Sequence, residues 1–133
     1  MIKAISLHQP WASWIAEGKK TIETRMWPTR YRGPLLICST KSPKVAGHLQ
    51  GKALCIVKLV DCRLMTKADE PAAMCEYEPG RWAWVLDEIT PIEPFAVRGS
   101  QGFYEVDNPR NIVTTKDTKA TKVQKQDQFN FEG

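Results

Sequence analysis

No stretch of this chain is long and apolar enough to cross a bilayer, which excludes a helical membrane protein. The opening Met1-Ile2-Lys3-Ala4 is not a charged leader followed by an apolar block, so no secretory signal is expected and the cytoplasm is the expected compartment. The four cysteines, Cys38, Cys55, Cys62 and Cys75, include no pair with the two-residue gap of a zinc knuckle or thioredoxin motif. The two histidines, His8 and His48, have no ligand partner at useful spacing. Buried free thiols are therefore expected, with no metal and no cofactor. No internal repeat and no alternation of strands with long helices is visible, and 133 residues leave little room for a second core.

What is present is aromatic and unevenly charged. Five tryptophans supply much of the apolar area of a chain that is 42% hydrophobic. The net charge of +4 hides an asymmetry. Residues 1–63 carry eleven Lys or Arg against three acids, whereas residues 64–107 carry three against nine. A basic half gathered on one face attracts phosphate.

The pattern along the chain reads as short strands. Branched residues at 2–7 predict a first strand, and Gln9-Pro10 opens a helix of about two turns in which Pro10 suits the first helical position. Trp11, Trp14 and Ile15 fall at i, i+3 and i+4 on one stripe, and Gly18 is a natural left-handed stop. Strands are expected at 19–25, 35–40, 52–64 (long enough to need a bend), 82–90 and 103–106, with Pro91 and Pro94 ending the fifth. The acidic 66–80 stretch predicts a loop with one helical turn. From Asn108 the chain is polar and lysine-studded, and 108–133 is expected to be a flexible tail after a domain of residues 1–107. The rhythm predicts a mostly-β (α+β) fold, a small barrel with one or two short helices.

Gly18-x-Lys20-x-x-Glu23-x-Arg25 is one of four segments, in order along the chain, that resemble one known family: it matches the Gly-x-Lys-x-x-Glu-x-Arg signature of the ASCH domain family. Before it, Ile5-Ser6-Leu7-His8-Gln9-Pro10-Trp11-Ala12 is similar to the opening strand and helix of the phage and bacterial branch, which usually has Arg where this chain has His8. After it, residues 27–37 resemble the family's loop into its next strand, and Trp84-Val85-Leu86 through Tyr104 its closing strands. The resemblance implies a PUA-like barrel with a cleft beside the short helix and a role in handling RNA or a modified nucleoside.

The residues suggest how such a cleft would work. Pleat alternation puts Glu23 and Arg25 on one face. Lys20, just past the helix stop, is free of the pleat, and the three are expected to converge. Lys20 and Glu23 are the candidate catalytic pair, and Arg25 offers a fork of donors for a carbonyl or phosphate oxygen. His8 and Trp11 are candidate ligand-binding residues on the cleft. A second group, Trp27, Arg30, Tyr31 and Arg32, combines stacking planes with phosphate donors. Binding of RNA or a nucleoside by a monomer is the leading expectation. One ASCH branch consists of amidohydrolases that deacetylate N4-acetylcytidine with a lysine, a threonine and a glutamate. Their lysine falls on Lys20, but their threonine falls on Glu23, and Glu70, Glu76 and Glu78 are candidates for their glutamate. That activity, or the ribonuclease activity of another branch, is the alternative.

Overall fold

Two strands carry most of the sheet, and the sequence explains both. β4 (Lys52–Leu64) is the long branched-residue run, and β5 (Trp82–Ala96) pairs with it antiparallel from Leu64↔Trp82 to Lys52↔Ala96. Register shifts interrupt this ladder after Ala53, Ile56 and Leu59, the bending that the length of β4 called for. A computed structural model describes residues 1–107; the expected tail at 108–133, with its Phe129 and Phe131, lies outside the described residues. The other elements are β1 (Ile2–Leu7), α1 (Trp11–Ala16), β2 (Ile22–Arg25), β3 (Gly33–Ser39), a 3-10 turn (Lys67–Asp69) running into α2 (Glu70–Ala73), and β6 (Tyr104–Val106). No helix among the described residues is long and apolar enough to cross a membrane.

The strands form one sheet in the order β2-β5-β4-β3-β1-β6, in which only β1 and β3 run parallel. The mostly-β expectation with short helices holds. The closed barrel is not reached in the strand pairings, which stop at β2 and β6. The sheet curls instead: Arg25 of end strand β2 donates from Nη2 to the Ser6 carbonyl of β1 at 3.1 Å, near the opposite end of the order.

Both faces of the central strands are covered, so their sequences read as nearly continuous apolar runs. On one face Ile5, Leu7, Leu35, Ile37, Val57, Leu59, Trp84 and Leu86 pack with Ala12 and Ile15 of α1. On the other, Ile2, Ala4, Leu36, Cys38, Ala53, Ile56 and Ile92 pack with Phe95 and Tyr104. A third cluster of Ile22, Met65, Ala73 and Ala83 seats α2 beside β2. The 3-10 turn before α2 is fixed by Asp69, which accepts from Thr66 N at 2.9 Å and from both terminal nitrogens of Arg63 at 2.8 and 3.0 Å.

Several local expectations need correction. Strand β5 runs through Pro91 and Pro94 to Ala96, because β2 accompanies it only from Trp82 to Val85. Beyond that point one edge of β5 needs no hydrogen-bond partner, and an edge tolerates proline. Pro10 is the residue before the first helical position rather than that position itself. Pro10 has no polar side chain to cap with, and the buried Gln9 before it bonds the first turn instead: its Oε1 accepts from Ser13 N at 2.9 Å while its Nε2 donates to Ser13 Oγ and to the Leu49 carbonyl. The helix buries Ala12 and Ile15, whereas Trp11 is exposed. Cys38 and Cys55 are buried, and desolvation pushes the Cys38 thiol up to about 11 and that of Cys55 higher still. Cys62 and Cys75 are only half-buried.

Candidate functional site

The turn that ends α1 creates the site. Gly18, at φ 81°, takes the left-handed conformation that a residue with a side chain rarely adopts, and the N–H groups of both Lys19 and Lys20 then donate to the Trp14 carbonyl at 2.9 and 3.1 Å. Strand β2 consequently begins at Ile22 rather than at residue 19. Lys20 belongs to the turn, and its side chain runs inward until only 1% of the residue is exposed.

An almost fully buried lysine needs acceptors for each of its three N–H groups. Lys20 Nζ donates to the Ala73 carbonyl at 2.6 Å and to the Ile22 carbonyl at 2.7 Å, and lies 3.5 Å from Glu23 Oε1. Glu23 Oε2 in turn lies 3.0 Å from Arg25 Nε. The Nε–H is not aimed at that oxygen and has no hydrogen-bond partner among the described residues, so the contact is electrostatic. The amine, carboxylate and guanidinium thus form a continuous chain, with Glu23 in the middle.

Burial lowers the pKa of Lys20 from its ordinary value; Glu23, and to a lesser degree Cys75, pull it back up, and Arg25 adds a small push down. The sign of the pH effect follows. The folded state binds the Lys20 proton less tightly than the unfolded state does, so the Lys20 contribution to stability rises as pH climbs toward the unfolded value of 10.5. The stability of the protein relative to a Lys20→Met variant is therefore expected to increase between neutral pH and pH 10.5. Paired urea titrations across that range test this, and a difference that shrinks with pH would contradict it.

The chain forms the floor of a cleft of about 490 Å³, within the size range of small-molecule and single-base sites. One side of the cleft is built by the ends of β1 and β3 and the start of α1: Ser6, His8, Thr40 and Trp11. His8 Nδ1 lies 3.0 Å from Thr40 Oγ1, which ties the ends of the two parallel strands together. The indole of Trp11 stands 6.3 Å from that of Trp14 at 75°, an edge-to-face pair. The opposite side comes from the segment after α2: Cys75, Glu76, Glu78 and Arg81. Arg81 pairs with Glu78 at 2.9 Å and reaches Thr24 Oγ1 at 3.4 Å.

Of the candidate residues, His8, Trp11, Lys20, Glu23 and Arg25 line one cleft. Trp27, Arg30, Tyr31 and Arg32 do not line it. Trp27 packs edge-on against Trp84 at 4.8 Å and Phe103 at 5.9 Å, and its carbonyl accepts from the Trp84 indole. Tyr31 packs on Phe103, donates to the Pro34 carbonyl at 2.6 Å, and carries the Lys3 amine 5.1 Å from its ring centroid. Arg32 donates to the carbonyls of Thr29 and Tyr31 within its own loop, and Arg30 is exposed. This aromatic group packs around Trp84 and Phe103, with Trp27 still partly exposed.

Sequence reasoning missed Ser6, Thr24, Thr40, Cys75 and Arg81 as lining residues, and brought in Glu76 and Glu78 only as possible equivalents of a catalytic glutamate. Glu70 lies outside the cleft, where its carboxylate accepts from Tyr77 N. Thr24 alternates with Glu23 and Arg25 on the pleat yet shares the cleft with them. Strand β2 ends the sheet, and a hollow wrapping its free edge receives side chains from both faces. The signal for the 75–81 wall was weak, since those residues read only as an acidic loop.

The ASCH domain family model matches residues 5–96, which spans both sides of the cleft and the whole Lys20–Glu23–Arg25 chain. The chain belongs to the ASCH domain family. Among curated relatives, activating signal cointegrator 1 of mouse and of human each match this chain at 45% identity over 49 residues. That stretch is 35% of this chain and 8% of theirs. Among solved structures, ASCH from Zymomonas mobilis has a TM-score of 0.62 at 18% identity, covering 79% of this chain and 87% of that one. A point mutant of the same protein gives a TM-score of 0.61 at 18% identity, over 79% and 89%. At that identity the likeness shows a shared fold.

Proposed function

We propose that this ASCH domain binds single-stranded RNA or a modified nucleoside and holds one unstacked base in the cleft between Trp11 and Glu23. The observation that carries this reading is the Lys20–Glu23–Arg25 chain, buried at its lysine end, on the floor of an open hollow. The chain puts an anionic acceptor and a cationic fork side by side where a planar ring can reach them. Glu23 suits a base amino group, as carboxylates do with cytosine N4, and Arg25 suits a neighbouring carbonyl or a phosphate. Trp11, exposed on the rim, offers a stacking plane. Lys20 acts here through Glu23: its donors are committed to two carbonyls and the carboxylate, so it fixes the position and charge of the acid. Residues 1–107 are taken as the folding unit of this activity, with 108–133 as an appended tail.

The amidohydrolase reading has one observation in its favour: Lys20, Thr24, Glu76 and Glu78 share the cleft. The committed hydrogen bonds of Lys20 count against it, because a nucleophile or base needs a free lone pair. Binding is tested by titrating the protein with a fluorescent single-stranded RNA at several salt concentrations. Affinity is expected to fall steeply with salt as phosphate contacts release counterions. No binding at low salt would end the RNA reading. Release of cytidine from 4-acetylcytidine would put hydrolysis in its place.

A further inference from the structure

We infer that the site extends beyond the cleft into a second cavity that takes the neighbouring nucleotide of the same strand, with Arg98 and Lys41 holding the phosphate between them. This inference rests on the RNA-binding reading and adds a direction and a length to it.

The direction comes from charge. One side of the cleft carries Glu76 and Glu78, and the only cation among its lining residues there, Arg81, is already paired with Glu78. A phosphate leaving on that side meets carboxylates. The other side, formed by Ser6, His8 and Thr40, presents no acid. It is continuous with a stretch of backbone that gathers cations. Thr40 N donates to the Leu7 carbonyl and Gly51 N to the Thr40 carbonyl, so the chain on both sides of the 41–50 loop lies at the end of β1. The Lys41 stem crosses Gly51 so closely that its Cγ would stand 2.9 Å from a Cβ at that position. The Gly51 carbonyl accepts from Val97 N at 3.0 Å, so Arg98 follows in the chain directly after a residue bonded to the glycine that the Lys41 stem crosses. Neither Arg98 nor Lys41 is in an ion pair among the described residues.

The length comes from the cavity. Gly99, at φ 79°, lets the segment lie against Ser6, whose Oγ is 3.6 Å from where a Cβ would stand. Behind that segment is a second hollow of about 650 Å³. Phe95, Val97, Tyr104 and Val106 give it apolar walls, Glu105 and Asp107 give it acceptors, and Arg98 is the cation among its lining residues. The Tyr104 hydroxyl is 2.6 Å from Ser6 Oγ, which links a residue lining this hollow to one lining the cleft. Apolar walls with anionic acceptors suit a base carrying an amino group, and Arg98 in the same lining, with Lys41 on the neighbouring segment, offers the linking phosphate its cations.

The test uses the full chain and four probes: cytidine, the dinucleotide CpC, CpC with one base removed, and a short single-stranded oligocytidine. CpC is expected to bind about tenfold or more tighter than cytidine, since one further stacked base contributes on that order, and removal of that base should erase most of the gain. The double variant Arg98→Ala/Lys41→Ala should lose the dinucleotide advantage and lower the salt slope of oligocytidine binding by about 1 to 2, with cytidine, which has no phosphate, as the reference. Equal affinity for cytidine and CpC, with both weakened by Arg25→Ala, would overturn the second cavity and leave the cleft reading standing. A dinucleotide advantage that depends on Arg98 but is indifferent to Arg25→Ala would do the reverse. Failure of every probe to bind would remove both.

Discussion

Replacing Lys20 with alanine is expected to lower the unfolding free energy by about 3–5 kcal/mol, the range for stripping one partner from a buried charge pair. Three groups lose their donor at once: the carbonyls of Ile22 and Ala73, and the Glu23 carboxylate. The Ala73 contact ties α2 to β2, so its loss also loosens the wall that carries Cys75, Glu76 and Glu78. Lys20→Met keeps most of the volume and isolates the polar part of the loss. Adding Glu23→Gln to Lys20→Met should recover part of it, because the second change removes the carboxylate that the first left with only Arg25. Urea-induced unfolding of the wild type, Lys20→Met, Glu23→Gln and the double variant gives the coupling directly. If Lys20→Met matched the wild type and Glu23→Gln changed nothing further, the amine would not be holding the cleft floor together.

Arg25→Ala is expected to weaken binding of single-stranded RNA about 10- to 100-fold, corresponding to the roughly 1–3 kcal/mol of a well-placed bidentate contact. Arg25 sits at the outer end of the buried chain, with its Nη2 on the Ser6 carbonyl and its Nε beside Glu23. The Ser6 bond holds the guanidinium plane across the gap between β2 and β1, which pre-orients its remaining donors. Arg25→Lys should recover little, because an ammonium keeps the charge and loses the planar fork. Fluorescence anisotropy at fixed salt measures the effect, with circular dichroism to verify the fold. If Arg25→Lys bound as tightly as the wild type, the contact would be a point charge and the argument for an oriented fork would fail.

Much of the fold was legible because it is written in local periodicity. The 52–64 strand coincides with β4, the closing strand at 103–106 differs from β6 by one residue, and Gly18 stops the helix as its backbone freedom suggests. Two errors have different causes, one non-local and one local. Pro91 and Pro94 end a central strand but not an edge, and which of the two applies depends on how far β2 accompanies β5. The strand at 19–25 starts late because the Trp14 carbonyl draws Lys19 and Lys20 back to the helix.

The site divides in the same way. Lys20, Glu23 and Arg25 were recoverable because they lie within six residues of one another around a helix stop and a short strand, where local geometry governs direction. The aromatic loop at 27–32 carries the same residue types as a nucleic-acid surface, yet it packs around Trp84 and Phe103. Residue type does not say which apolar surface a side chain will find. Thr40 and Cys75 carried no signal, since what brings them to Lys20 is the parallel pairing of β1 with β3 and the seating of α2 against β2.

By itself, then, the amino-acid sequence determined the strand content, the short capped helix, the family and the amine–acid–guanidinium grouping, all properties of contiguous residues. Only the tertiary structure decided that the strand pairings stop short of a closed barrel, that one side of the cleft carries carboxylates and the other none, and that Trp27 and Tyr31 pack around Trp84 and Phe103 instead of lining that cleft. Those outcomes depend on strand order and on contacts between residues far apart in the chain. Such contacts form only when apolar faces from separate segments find a common core, and no local pattern encodes which segments will meet.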